Sequence, residues 1–373
     1  MSARVRRADF NTSLNGYRGV CALLVFLFHL GSAGVVSWPG GTPLTDWIAV
    51  LWMSLKYGVE MFFMISGYVI LGSLLRHATI RGFLQDRVIR IFSAWVPALL
   101  AVTMVCVVFR MKVFADVTPL EGFALFVANL FLLPPIVHIP MIHQVSWSLS
   151  YEWVFYLVAS LSLLLYRRSE PRHLLTALGF TLAALFIILF PRSLFFVTGV
   201  LVFRYRDWFA QHRRWLRFPL LSLLIFLVAW HATGADKAHL NDTLFDYALD
   251  GRWIAAVVAF VASLHTFACV TLNTSVQTKF LSSRVFQFLG NISYSFYLWH
   301  ALVMSLVKRV VIAYVSPELG STVGVIVFAA VSLAISIPIA WASWRLFEGA
   351  LAQRARRSWS RPPVVQGGAA RAI

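Results

Sequence analysis

The chain has 373 residues, 60% of them hydrophobic and 13% charged, with a formal net charge of +17 and a mean hydropathy of +0.77. Soluble domains average roughly 45–50% apolar and about 25% charged residues, so this composition excludes a soluble enzyme and points to an all-α polytopic membrane bundle. The charge does not indicate a nucleic-acid binder: the arginines fall in short clusters between apolar runs, as the positive-inside rule requires, without a folded nucleic-acid module.

Arg4, Arg6 and Arg7 precede the first apolar run. No small-x-small cleavage site follows and His29 interrupts the run, so it is expected to stay as the first membrane helix. Segments long enough to cross ~30 Å of hydrocarbon lie near 17–37, 48–75, 91–109, 147–166, 173–190, 193–205, 217–233, 252–272, 288–314 and 321–347. A further piece, 120–133, is shorter and stops at Pro134-Pro135. If it spanned, every later loop would flip and Arg167, Arg168 and Arg172 would lie outside. Read as re-entrant or interfacial, it leaves about 10 transmembrane helices with both termini cytoplasmic. The longer outer loops then carry Asp46, Asp116, Glu121, Asp236, Asp242, Asp246 and Asp250. Lys308 and Arg309 are the main exceptions, placed to snorkel to headgroups.

The expected organisation is a cytoplasmic arm over 1–13, one transmembrane domain over 14–350, and a basic, disordered cytoplasmic tail over 351–373. Cys21, Cys106 and Cys269 all lie in apolar runs without a CxxC, so they read as packing residues, and no metal site is expected. P-loop, GxGxxG, HExxH and GxSxG motifs do not occur.

Polar residues inside apolar runs mark the candidate site. Arg18 opens the first run and His29 follows eleven residues later, which returns both to nearly one helix face, roughly 16 Å apart along the axis. A protonatable group at that depth is costly and by default functional; the alternative is a histidine hydrogen-bonded inside a bundle. Glu60, in Gly58-Val-Glu-Met-Phe-Phe-Met-Ile-Ser-Gly67, is expected at matching depth on the next helix. There it would fix the imidazole's tautomer and raise its basicity, as a general base needs; the alternative is a charge pair that only holds two helices together. Arg87 and Arg90 share a face at the inner start of the third helix, level with Arg18. Three such guanidiniums can bind a nucleotide-like anion, although arginines at that edge also serve orientation alone.

Ser146-Trp-Ser-Leu-Ser-Tyr-Glu152-Trp-Val-Phe-Tyr156 opens the fourth segment from the outside. Its Trp147, Ser150, Glu152 and Tyr156 suit a sugar hydroxyl or ring face. Gly290-Asn-Ile-Ser-Tyr-Ser-Phe-Tyr-Leu-Trp-His300 adds Tyr294 and a second deep histidine, His300, either a structural partner or part of the cavity wall. Ser66, Asn291 and Tyr294 are candidate oxyanion donors. Glu348 is expected to pair with Arg345.

Together these stretches resemble the acyltransferase-3 family of membrane acyltransferases. The matching pieces are Arg18-x10-His29, Gly58-Val-Glu-x-Phe-Phe-x-x-Ser-Gly67, Arg87-x-x-Arg90, Trp147-Ser-Leu-Ser-x-Glu152-x-x-Phe-Tyr156 and Ile292-Ser-Tyr-Ser-x-Tyr-Leu-Trp-His300, in family order from about residue 14 to 350. The resemblance implies transfer of an acyl group, usually acetyl, from cytoplasmic acyl-CoA to a hydroxyl, generally on a glycan at the outer face of a bacterial cytoplasmic membrane. His29 matches the family's essential histidine, and Arg18, Arg87 and Arg90 match its functional arginines. Glu60 stands where many members have Asp, and Glu152-Trp153 where many have Glu-Glu or Glu-Gln. The competing reading is a transporter or flippase of a lipid-linked saccharide with His29 and Glu60 as a proton relay.

Overall fold

Hydrocarbon offers the backbone no hydrogen-bond partner, so apolar runs of this length fold as helices that satisfy their own amides. The structure, a computed structural model, describes residues 11–35, 42–77, 79–167, 172–234 and 242–359, and among them there is no strand. Helix α1 (Thr12–Ser32) is capped by Asn11, whose side chain accepts from the Leu14 N–H, satisfying one orphan amide of the first turn. α2 (Pro43–Ser54) starts on a Thr42 capping box and passes through a 3₁₀ turn, Leu55–Tyr57, into α3 (Gly58–Arg76). α4 (Ile80–Val108), α5 (Pro119–Leu130) and α6 (Trp147–Arg167) follow.

Next come α7 (Arg172–Leu189), α8 (Leu194–Arg204), α9 (Arg206–Gln211), α10 (Pro219–Ala232), α11 (Leu244–Leu249), α12 (Trp253–Leu272) and α13 (Val276–Phe280). α14 (Arg284–Val310) and α15 (Ser316–Ser343) are joined through a π-helical turn, Val311–Val315. A second π-helical segment, Trp344–Leu351, carries the chain into α16 (Ala352–Trp359).

Among the described residues each of the ten expected apolar segments contains a helix, but six helices are long and apolar enough to cross a membrane. α8 and α10, with 11 and 14 residues, reach only ~16 and ~21 Å. The second expected segment is not one regular helix: it starts earlier, at Pro43, and the 3₁₀ turn divides it. The 120–133 piece forms a 12-residue helix, Pro119–Leu130, about 18 Å long and short of a span. The expected tail is helical through Trp359, where Arg356 Nε lies 3.4 Å from Asp86 Oδ1; residues 360–373, and Arg4, Arg6 and Arg7, lie outside the described residues.

α1 packs chiefly on α14, and α3 on α8. Both seams depend on glycine. A Cβ at Gly290 would stand 2.0 Å from the Asn15 carbonyl oxygen, and one at Gly199 would stand 1.9 Å from that of Met64. In lipid, where apolar area alone does not drive helices together, such backbone contact is what makes packing strong. α1 also packs on α3, where a Cβ at Gly58 would stand 2.6 Å from the Cys21 carbonyl oxygen, so His29 and Glu60 come from neighbouring helices. All three cysteines are buried.

Candidate active site

Three cavities run through the bundle, each sharing wall residues with the next. The first is a basic mouth of about 750 Å³ between α1, α4, α14 and the C-terminal helices. Arg18, Arg87, Arg90 and Arg356 line it, so the three arginines expected on the inner level do converge. Arg18 Nε donates to Ser293 Oγ at 3.3 Å. Arg87 reaches Ser73 Oγ from Nη2 at 3.5 Å, while its buried Nε and Nη1 have no partner. Glu348 also faces this mouth. It does not pair with Arg345 as expected: its Oε1 accepts from Ser295 Oγ at 2.6 Å, and Arg345 stacks over the Trp341 ring at 5.0 Å. The reason is geometric, since the helix turns Glu348 inward and leaves Arg345 exposed.

The second cavity, about 600 Å³, shares Arg18 and Arg90 with the mouth. Its polar walls are Ser66, Ser148, Glu152, Tyr294 and Tyr297. Glu152 Oε1 accepts from Ser66 Oγ at 2.7 Å and also from the Tyr156 hydroxyl. Tyr294 donates to the Ile91 carbonyl at 2.9 Å. Glu152 and Tyr156 were expected on the outer side of the bundle. They stand instead beside the arginines, and the Arg87 guanidinium lies 6.0 Å from the Tyr156 ring centroid. Ser150 is buried away from all three cavities and donates to the Pro134 carbonyl.

The third cavity, about 870 Å³, shares Val59 and Tyr297 with the second and contains His29. Lys56, Gln144, Trp147 and Arg192 complete its polar and aromatic wall. The His29 ring lies 5.3 Å from the ring of His300. His300 Nδ1 donates to the Phe296 carbonyl at 3.0 Å, which leaves its buried Nε2 as a bare acceptor with no partner. Asn291, one of the candidate oxyanion donors, faces the basic mouth and not this cavity.

The expected pairing of His29 with Glu60 is replaced by another. Glu60, fully buried in the first turn of α3, accepts at Oε1 from Arg192 Nη1 at 3.0 Å and from Trp230 Nε1 at 3.2 Å. A buried carboxylate costs several kcal/mol unless compensated, and a guanidinium compensates it far better than an imidazole. Arg192 also lies 4.9 Å from the Trp147 ring centroid. Because Arg192 lines the His29 cavity, Glu60 reaches that cavity through the guanidinium. Arg192 is the residue sequence reasoning missed. The available signal was an arginine between Pro191 and Ser193, on the side of the expected topology where basic residues are rare.

A family model described as an acyltransferase domain, acyltransferase-3, matches residues 11–342. The chain belongs to the acyltransferase-3 family. No curated protein and no solved structure matches it. The acyltransferase-3 match contains Arg18, His29, Glu60, Arg87, Arg90, Glu152, Arg192 and His300, while Glu348 and Arg356, which close the basic mouth, lie beyond it. Together with six apolar helices, membership makes this an integral membrane protein with an acyltransferase domain.

Proposed function

We propose that this acyltransferase-3 protein moves an acyl group, acetyl in the first instance, from cytoplasmic acyl-CoA to a hydroxyl of a sugar or glycan presented from the other side of a bacterial cytoplasmic membrane. The observation that carries the reading is the row of three cavities with shared walls, running from four arginines to His29. The arginines suit CoA phosphates, and the unpartnered Nε and Nη1 of Arg87 are donors that a phosphate oxygen would satisfy. The middle cavity, walled by Phe62, Phe63 and several hydroxyls, suits a long arm that is apolar with a few amides.

In this account His29 takes the proton of the acceptor hydroxyl as the oxygen attacks the thioester carbonyl carbon. The carbonyl pair moves onto oxygen, returns as the C–S bond breaks, and the departing thiolate takes the proton from the imidazolium. No metal is required, and the chain's own groups supply both base and charge. The proposed topology keeps ten crossings and both termini cytoplasmic, supported by the crowding of arginines on one side of the apolar segments. Mass spectrometry of cell-surface glycans with and without the gene tests the proposal: acyl-ester mass must disappear with the gene. Unchanged acylation alongside lost surface export of the same glycan would favour a transporter instead.

A further inference from the structure

We infer that the connection between α8 and α10, residues 204–218, is a preformed docking surface for the headgroups of anionic phospholipids, level with the basic mouth. This role stands apart from the transferase reading and requires only that the chain sit in a bilayer.

The connection carries Arg204, Arg206, Arg213, Arg214 and Arg217 against a single carboxylate, Asp207. That carboxylate neutralises little: its Oδ1 stands 3.7 Å from Arg206 Nε in a pair open to solvent, where such contacts contribute almost nothing. Among the described residues the other four arginines are in no ion pair. Interleaved with them, Tyr205, Trp208, Trp215 and Phe218 keep between 51% and 69% of their surface exposed. Rings of this kind settle at the headgroup level of a bilayer, and guanidiniums beside them meet lipid phosphates.

The surface is built before any lipid arrives. Leu216 is buried in the core, and Phe209 packs against the same core. The Trp215 carbonyl accepts from His265 Nε2 at 2.9 Å, which ties the 3₁₀ turn Arg213–Trp215 to α12. The His212 ring stacks on Trp208 at 4.4 Å. Arg204 lies over the Tyr205 ring at 5.5 Å, and Arg214 over that of Trp215 at 5.7 Å. With the backbone tied and the rings held by their neighbours, docking loses little conformational entropy. α3 fixes the level. A Cβ at Gly72 would stand 2.8 Å from the Phe203 ring, and the next residue, Ser73, is the partner of Arg87.

Helix length sets the depth. α8 and α10 have 11 and 14 residues, about 16 and 21 Å, against ~30 Å of hydrocarbon. Helices this short draw the connection between them to the headgroups instead of letting it hang in water. Flanking arginines and aromatic rings are the residues that accommodate such a mismatch. The excess of cations then selects among lipids, since each arginine at an anionic surface supplies a preference of about fivefold.

The test follows hydrogen exchange over residues 204–218 of the full chain in nanodiscs of phosphatidylcholine, alone or mixed with phosphatidylglycerol. Exchange is expected to be at least about fivefold slower in the mixed discs, the preference that one arginine supplies. The difference should shrink at high salt and be absent over α11, which lies at the opposite ends of α10 and α12. Arg213→Gln combined with Arg214→Gln and Arg217→Gln removes exposed side chains that hold no ion pair. It should melt like wild type in detergent and bring the two discs to within about twofold. Wild-type exchange that is the same in both discs overturns the inference without any variant, and so does a slowing that extends equally to α11. A triple variant that melts like wild type and keeps the full difference overturns it as well. None of these outcomes touches CoA thiol release, so failure here is distinct from failure of the transferase reading.

Discussion

Arg87→Ala is the most informative change at the basic mouth. The side chain is buried, and its Nε and Nη1 have no partner, while Nη2 reaches Ser73 at 3.5 Å, the outer limit of a hydrogen bond. Two buried donors without an acceptor cost stability in the unliganded protein. A phosphate placed there converts that cost into charge-assisted hydrogen bonds worth about 1.5–3 kcal/mol each. Losing even one of them weakens binding by roughly 10- to 100-fold, at about 1.4 kcal/mol per factor of ten. Arg87→Ala is therefore expected to raise the Kd for CoA by at least about tenfold, while the melting temperature without ligand holds or rises. Calorimetric titration of CoA, and of a CoA lacking the ribose phosphate, into wild type and variant measures this. A smaller difference between the two ligands in the variant than in wild type would assign that phosphate to Arg87. Arg345→Ala, which removes an exposed arginine stacked on Trp341, is the control and should leave Kd unchanged. An Arg87→Ala variant that binds CoA as wild type does, or that melts far lower without ligand, would refute the reasoning and return Arg87 to orienting the helix.

Three further outcomes follow from other parts of the structure. Glu348→Gln removes a carboxylate from the basic mouth, so the KM for acetyl-CoA should fall by about threefold at low salt and converge with wild type at high salt, where such interactions are screened. Gly199→Val places a side chain where even a Cβ would meet the Met64 carbonyl oxygen at 1.9 Å; prising α3 from α8 should cost about 1–3 kcal/mol or more, read as a lower melting temperature with Glu60 and Arg192 separated. Asp246 accepts at Oδ2 from the Thr243 N–H at 2.7 Å and from the Thr243 hydroxyl at 2.8 Å, which together hold its carboxyl below the ordinary 3.8. A depressed carboxyl contributes stability above its unfolded pKa and loses it as pH falls through the folded one. Hydrogen exchange over α11 should therefore accelerate in that acidic window in the wild type, and Asp246→Asn should remove this pH dependence.

The helices were legible because their signal is local. Runs of apolar residues give existence and approximate ends, and the arginines three apart on α4 gave a shared face that the structure keeps. The glycine-lined seams were not legible, since nothing in the sequence around Gly290 says that Asn15 must approach its backbone. The same holds for the charge pairs. Glu60 was correctly marked as a buried carboxylate, but its partner was assigned to the nearest helix in sequence, whereas the strongest available donor arrived from Arg192. Glu152 and Tyr156 were assigned to the outer side because they belong to the opening of α6, yet Glu152, about a turn and a half inward, shares a cavity with Arg18 and Arg90, and the Tyr156 ring lies beside Arg87. Glu348 shows the same limit at short range: Arg345 is three residues away on the helix, but one points into the mouth and the other out of it.

The central claim is that acyl groups pass from CoA to a hydroxyl at His29. It is tested most directly by single-turnover release of CoA thiol from radiolabelled acetyl-CoA, comparing wild type with His29→Ala after both have been shown to bind CoA equally. His29 lies in the third cavity and the arginines line the first, so the account predicts unchanged CoA affinity with transfer reduced by at least about 100-fold, the lower range for loss of a general base. Transfer at the wild-type rate from a variant that still binds CoA would contradict it.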